Sequence, residues 1–456
     1  MGAGKSTLGP EVAERLDRRF VDLDRELEHS LGQSIPELFQ RSGGEVEFRV
    51  REAEQAITAL RLHDPAVIAF GGGAVETTSI RNELRERAFT VLLEVDPGTA
   101  WERSAGGDRP LAQDETEFHA LYERRRELYD DVADARAHDV DDVVLAAGGV
   151  HVRAGSLKLL QSLVPGDRPV ALVTDPHVAG IYGVTVQVAL GTRLASVHEV
   201  PQGEEAKTAA VAERLWNELR LDRRGTVVAL GGGCTTDLAG FVAATYMRGL
   251  DWVVVPTSLV GQVDAAIGGK TAVDLPQGKN LVGAFHWPMR VVADPSTLET
   301  LPEEERREGM AEVVKTGLLA GEPFWELPTA ELVRRCAAFK TAVCLRDPYD
   351  RGERAILNLG HTFAHALEAA ADYRGLTHGS AVALGLLAAL RLSGRPTDVV
   401  EQLLQPRPVR IDRDRAWAAL GRDKKTGLVL LDDEGPRWNV EVPANEVRRA
   451  LDELIL

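Results

Sequence analysis

The chain has 456 residues, 44% of them hydrophobic and 27% charged, with a net charge of −17. That length exceeds what one hydrophobic core usually serves, so two or three domains are expected, and the acidic balance argues against a nucleic-acid partner. No apolar run reaches the roughly 18 residues of a membrane span, no basic-then-apolar leader opens the chain, and Cys234, Cys336 and Cys344 lack metal-ligand spacing, so a cytoplasmic, disulfide-free protein is expected.

The charge is uneven. Residues 1–147 carry −13 and the remainder −4, so a polyanion bound in the first part needs a local site, because the overall field opposes it. Only nine of the 53 basic residues are lysines. Codon drift toward Arg accounts for a scarcity of Lys, but not for its placement. Seven of the nine fall in the motifs below, where a compact ammonium with a tunable pKa is useful.

The chain opens on Gly2-Ala3-Gly4-Lys5-Ser6-Thr7, the latter part of a G-x-x-x-x-G-K-[ST] loop, and continues as a helix through Glu11–Leu16. Backbone N–H groups of such a loop cradle phosphates, Lys5 reaches the outer phosphates, and the Ser6 hydroxyl meets Mg²⁺. Short apolar runs at Val67–Phe70 and Thr90–Val95 predict buried parallel strands, and Glu117–Asp134 predicts a helix. The Gly-rich passage Ala146–Gly155 is the predicted boundary. Beyond it Pro169–Thr174, Thr226–Leu230 and Trp252–Val255 predict strands, each ending in a polar or glycine-rich turn, a doubly wound α/β pattern whose ligands bind at the carboxyl ends of the strands. From about Pro302 the pattern turns helical, with Arg307–Leu319, Glu331–Val343, Thr362–Ala371 and Ala381–Leu392.

Within that helical region, Glu312 and Lys315 share one face of an apolar helix. Arg354, Asn358, His361 and His365 recur at spacings of 4, 3 and 4 and, if helical, form a polar stripe; His378 follows His361 by seventeen residues. Glu312, His361 and His378 make a His₂Glu set that leaves a fourth position open, as a catalytic Zn²⁺ site requires. A single such His is more often a satisfied core residue. The stripe together with Glu312 favours a metal.

The first part of the chain resembles the shikimate kinases. Besides the loop, the resemblance rests on Val21-Asp22-Leu23-Asp24, Gly32-Gln33-Ser34-Ile35, Glu47-Phe48-Arg49, Gly71-Gly72-Gly73-Ala74, Arg109-Pro110-Leu111 and Arg125 before Tyr129. It implies ATP and Mg²⁺ held by Gly2, Gly4, Lys5, Ser6, Thr7 and Asp22, with Arg109 on a lid. Shikimate would be held by Asp24, Arg49, Gly72, Gly73 and Arg125. The family has a further glycine and a central strand before the loop, and this chain begins at Met1 inside it. A kinase domain weakened by the missing strand is expected, with a start assigned too far downstream as the simplest cause. ATP turnover with shikimate, measured with and without about ten restored upstream codons, tests this.

From about residue 150 the chain resembles the 3-dehydroquinate synthases. The motifs are Thr174-Asp175, Pro201-Gln202-Gly203-Glu204 with Lys207, Gly231-Gly232-Gly233 followed by Asp237-Leu238-Ala239-Gly240-Phe241, Ala244 to Gly249, Thr257-Ser258, Gln262 to Lys270, Gly278 to Leu281, Gly309 to Lys315, and Thr377-His378-Gly379. The resemblance implies NAD held by Asp175, Glu204, Lys207, Gly232, Gly233, Asp237, Thr257 and Ser258. Substrate would be bound by Arg248, Asp264, Lys279, Asn280, Lys340, Arg354 and Lys424. Zn²⁺ or Co²⁺ would sit on Glu312, His361 and His378, with His365, Asn358, Lys270 and Lys315 catalytic. Two family positions differ here: Cys234–Thr236 replace a Val/Ile-Gly pattern, and Ser380 replaces Glu.

The expected architecture is α/β throughout. A P-loop kinase-like parallel-sheet domain spans 1–146, a Rossmann-like NAD-binding subdomain 147–300, and an α-helical metal- and substrate-binding subdomain 301–456. The implied reaction converts 3-deoxy-arabino-heptulosonate 7-phosphate to 3-dehydroquinate and phosphate with NAD used catalytically. Small-molecule partners are expected, with no nucleic acid and no membrane, and the resemblance leaves room for a homodimer through the synthase part. Competing readings are a metal-dependent polyol dehydrogenase, a related sugar-phosphate cyclase, and a non-catalytic regulatory first domain.

Overall fold

A computed structural model describes residues 2–105, 114–423 and 427–456. Arg109 and Lys424 lie outside the described residues. The chain packs as two units, Met1–Ala147 and Gly148–Leu456. No helix among the described residues is long and apolar enough to cross a membrane.

In the first unit, β1 (Arg19–Asp22) pairs in parallel with β2 (Ala66–Ala69), and β3 (Val91–Leu93) with β4 (Ala135–Ala137). Among the described residues no strand joins the two pairs. A cavity of about 1350 Å³ is lined by both β2 and β3, by Val12 and Leu16, and by Gly4 and Lys5 of the phosphate loop. The apolar side chains of β2 and β3 are mostly only half-buried. Parallel strands of this composition ordinarily pack on both faces and pair on both edges. Among the described residues, β2 and β3 each pair on one edge only and face the cavity.

The second unit is built on a six-stranded parallel sheet in the order β5-β12-β9-β8-β6-β7. These strands are β5 (Val150–Val152), β6 (Val170–Thr174), β7 (Leu194–Glu199), β8 (Thr226–Gly231), β9 (Asp251–Pro256) and β12 (Arg290–Ala293). Every residue of β6 and β8 is buried, as their unbroken apolar runs predict. The chain leaves β6 for β7 on one side and places β8 on the other, so strand order reverses between β6 and β8. That is where an open α/β sheet forms its ligand crevice.

An antiparallel hairpin, β10 (Lys270–Leu275) and β11 (Gly278–Phe285), projects from this layer and carries Lys270, Lys279 and Asn280. A second hairpin, β13 (Leu428–Asp432) and β14 (Gly435–Val440), packs on the helical half. The helices Glu303–Ala320, Thr329–Arg346, His361–Ala370 and His378–Leu392 bury one continuous aliphatic core.

The expected helical stripe is not one helix. Glu353–Asn358 forms a 3₁₀ turn, and the α-helix begins only at His361, after Gly360 at φ 78°. A side chain on Gly360 would meet the Leu386 amide nitrogen at 2.8 Å. The backbone kinks there so that two helices can approach, and the kink gives His361 its place at a helix start.

Candidate metal and nicotinamide site

Glu312 sits mid-helix and is 1% exposed, while His361 and His378 each open a helix. One ligand atom from each of the three lies within 4.8 Å of the others. Glu312 Oε1 is 3.5 Å from His361 Nε2 and 3.4 Å from His378 Nε2. Tetrahedral metal bonds of about 2.1 Å put ligand atoms about 3.4 Å apart, so the spacing suits one shared ion. Neither Glu312 oxygen receives a hydrogen bond of good geometry, although Lys315 Nζ is ion-paired with Oε2. A buried carboxylate so placed calls for more positive charge than one ammonium shared with other groups provides.

The imidazoles are oriented from behind. His361 Nδ1 lies 3.3 Å from the Leu359 carbonyl, and His378 Nδ1 lies 3.5 Å from Glu368 Oε1. Both Nε2 atoms are thereby turned to Glu312, the arrangement that metal-binding histidines use. Burial, reinforced by Lys315, pulls the His361 pKa down. Burial also opposes the His378 cation, but Glu312 and Glu368 prevail and push its pKa up to about 10. A metal binding there would displace that proton.

From the trio a chain of charges leads outward. Lys315 Nζ is 3.5 Å from Asp264 Oδ1, and Lys340 Nζ donates to the same oxygen at 2.7 Å and to the Asp264 carbonyl at 2.8 Å. A side chain on Gly233 would come 3.5 Å from Cβ of Ala265. The glycine turn therefore abuts the residue beside Asp264, two ion pairs from the trio. Gly232 ends the β8 turn and Gly233 opens the helix Gly233–Thr245; a Cβ on Gly232 would meet only Ser258 Oγ, at 3.8 Å. Open space at a 13-residue helix start suits a pyrophosphate.

Other predicted cofactor residues gather around this crevice. Asp175 follows β6, is buried, and accepts from the Val178 amide. The Thr257 amide donates to the Gly231 carbonyl at 3.0 Å. Lys207 Nζ donates to Asp237 at 2.7 Å and to Asn280 at 2.5 Å, and Lys279 Nζ to Glu204 at 2.9 Å. Residues expected on cofactor and on substrate thus meet in one network. Burial pushes the Cys234 thiol up to about 12, so this departure from the family pattern adds no thiolate.

His365 is exposed with its ring 5.6 Å from that of His361, near the trio and outside it; Asn358 ends the preceding 3₁₀ turn. Lys270 is ion-paired with Asp350. Arg354, expected at the substrate, is held by backbone carbonyls. It is 2% exposed, and its guanidinium donates to the carbonyls of Gly268 and Pro348, which fixes the backbone before Lys270. A buried guanidinium needs such acceptors. Arg248 stands on an exposed turn at φ 71°, outside the hydrogen-bonded network described above. Glu368 and Glu308, which brace the His378 helix, belong to no predicted motif.

In the first unit Gly4, at φ 84°, caps the helix Lys5–Arg15, which places Lys5, Ser6 and Thr7 in its first turn; Ser6 Oγ donates to Asp22 at 2.8 Å. Gly71 packs against Asp24 and Gly73 against the Arg49 guanidinium. Tyr129 donates to the Gly72 carbonyl. Glu76, which sequence reasoning missed, accepts from Arg125 at 2.9 Å and from Arg49 at 3.3 Å.

Family profiles match residues 1–161 and 197–425. The shikimate kinase profile covers residues 1–161, 3-dehydroquinate synthase N-terminal covers 197–308, and 3-dehydroquinate synthase C-terminal covers 309–425. A 3-dehydroquinate synthase of Symbiobacterium thermophilum is 45% identical over 60% of this chain and 87% of its own. That of Bordetella pertussis is 38% identical over 69% and 99%. Among solved structures, 2-deoxy-scyllo-inosose synthase complexed with carbaglucose-6-phosphate, NAD⁺ and Co²⁺ is 27% identical, with a TM-score of 0.59 over 67% of this chain and 96% of that one. Identity to the dehydroquinate synthases is thus well above that to the solved cyclase. The chain belongs to the 3-dehydroquinate synthase family, joined in one polypeptide to an N-terminal shikimate kinase domain.

Proposed function

We propose that Glu312, His361 and His378 hold a divalent metal, Zn²⁺ or Co²⁺, beside NAD bound across the carboxyl ends of β6, β8 and β9. There the chain turns 3-deoxy-arabino-heptulosonate 7-phosphate into 3-dehydroquinate and phosphate. The observation that carries this reading is the 3.4–3.5 Å convergence of both Nε2 atoms on Glu312 Oε1, two ion pairs from the glycine turn. The solved cyclase with NAD⁺ and Co²⁺ supports the cofactor pair.

A metal held by Glu312, His361 and His378 would supply Lewis acidity to adjacent substrate hydroxyls, and NAD held at the glycine turn would supply reversible hydride transfer. The protein does the rest. Asp175 and the open turn at Gly232 and Gly233 seat the dinucleotide, with Glu204, Lys207, Asp237, Thr257 and Ser258 around it. Lys315, Lys340 and Lys270 face the substrate anions, each now balanced by Asp264 or Asp350 and able to exchange partners. Asp264 orders Lys315 and Lys340, while Lys279, Asn280, Arg248 and Lys424 complete the anion grip. His365, exposed beside the trio, moves the proton at the carbon next to the oxidised centre, with Asn358 orienting it.

In the first unit Lys5 takes the outer phosphates of ATP, while Ser6 and Asp22 hold Mg²⁺. Asp24, Arg49, Gly72, Gly73 and Arg125 take shikimate. Glu76 occupies the two arginines and yields them to the acceptor's carboxylate. The protein is read as a cytoplasmic enzyme of small-molecule substrates, with a homodimer through the synthase unit as its assembly.

Phosphate release from the heptulosonate phosphate, followed with and without chelator while NADH is monitored, tests the synthase reading. Release that stops on chelation, returns with Zn²⁺ or Co²⁺ and leaves no net NADH is expected. Accumulating NADH would favour a polyol dehydrogenase.

A further inference from the structure

The helix His378–Leu392 starts without a cap of its own. Thr377 stands at its N-cap, yet the Thr377 side chain accepts no hydrogen bond from the first turn. A Thr with Glu three residues on would form a capping box, but here the third helical residue is Ser380. Without a partner, the amides of that turn would be left to solvent just where a metal ligand must be held still.

Glu308, from the neighbouring helix Glu303–Ala320, occupies that role. Its Oε2 accepts from the Gly379 amide at 2.5 Å, and its Oε1 from Thr377 Oγ1 at 2.6 Å. Ser380 Oγ lies 2.7 Å from Thr377 Oγ1 and joins the same cluster. The contact is reinforced by close backbone packing, since a Cβ on Gly379 would sit 2.6 Å from Cα of Glu308. Glu308 also lies one turn before Glu312, so both carboxylates leave the same face of one helix. One grips the start of the His378 helix and the other faces the His378 imidazole.

We propose that Glu308 is a positioning residue for the metal centre. It clamps the first turn of the His378 helix to the Glu312 helix and so fixes the distance between two of the three ligands. From an adjacent helix it accepts the first-turn amide that an N-cap side chain would ordinarily take, and it holds the Thr377 hydroxyl as well. The inference rests on the metal reading above and deepens it. Losing a partner that orients a ligand typically weakens metal binding by about 10–100-fold.

The test uses the full chain and reads Zn²⁺ affinity by competition with a chromophoric chelator, alongside the visible spectrum of the Co²⁺ form. Glu308→Ala is expected to raise the Zn²⁺ Kd by about 10–100-fold and to alter the Co²⁺ bands. Glu308→Gln, which keeps an acceptor for the Gly379 amide, falls between. Ser380→Glu placed in the Glu308→Ala background restores affinity to within a few-fold. Glu304→Ala, on the exposed part of the same helix, leaves the Kd unchanged. Metal-free thermal unfolding of each variant separates loss of fold from loss of site. A Kd within twofold of the parent in both Glu308 variants overturns the proposal, as does a loss that Ser380→Glu leaves uncorrected. A parent chain that binds no Zn²⁺ overturns the metal reading itself.

Discussion

Asp264 and Glu312 are two carboxylates that share Lys315, and the sharing sets how each titrates. Burial works against the Asp264 charge, but Lys315 and Lys340 prevail and bring its pKa down to about 2, from an ordinary value of 3.8. A lowered folded pKa adds stability that is fully present above the unfolded value and is lost as pH falls through the folded one. Asp264 therefore contributes about 2 kcal/mol near neutrality, lost between roughly pH 4 and pH 2. Asp264→Asn should lower the neutral-pH stability and flatten the acid limb of a denaturation profile; an unchanged limb would show that the lysines are not its partners. His365 makes a different claim. Because it stands beside the trio and not in it, His365→Ala should keep its zinc while kcat falls by about 10²–10⁴-fold, read by metal analysis and steady-state kinetics. Loss of zinc would instead place His365 among the ligands.

Strand burial separates the two units. β6 and β8 are wholly buried, whereas β2 and β3 flank the 1350 Å³ cavity with most of their aliphatic side chains only partly buried. Each Val, Ile or Leu that is not fully buried forgoes part of the about 1.5–3 kcal/mol it can contribute. Hydrogen exchange should therefore find the β2 and β3 amides opening well before those of β6 and β8. Protection as high in β2 and β3 would mean that the edges are covered. The strands β6, β8 and β9 were legible in the sequence to within a residue, because buried parallel strands read as unbroken apolar runs. The hairpin β10–β11 was not, since its glycines and lysines mask any alternation. The polar stripe was misread as one helix because spacing does not report the kink at Gly360. Glu308, Glu368 and Glu76 were missed for a common reason: each acts on residues brought near only by tertiary packing, and none is itself a motif position. Of the site itself, the ligand trio was legible as residue types. What holds those ligands in place was not.

The two activities of the polypeptide are separate, non-consecutive conversions, and their residues fall in different packing units. A chelator that strips the Glu312 site should abolish phosphate release while leaving nucleotide binding by Met1–Ala147, measured by calorimetry, unchanged. A parallel loss of nucleotide binding would show that the units are coupled. In the proposed reading, all of the synthase chemistry depends on one ion reaching three side chains from three helices. Diffraction from crystals grown with Zn²⁺ and NAD, with anomalous data at the zinc edge, examines that directly. The account predicts one strong peak about 2.0–2.2 Å from a Glu312 oxygen and from Nε2 of both His361 and His378, with the dinucleotide at the Gly232 turn. A zinc peak bound elsewhere, or zinc on these residues with the dinucleotide outside that crevice, would contradict it.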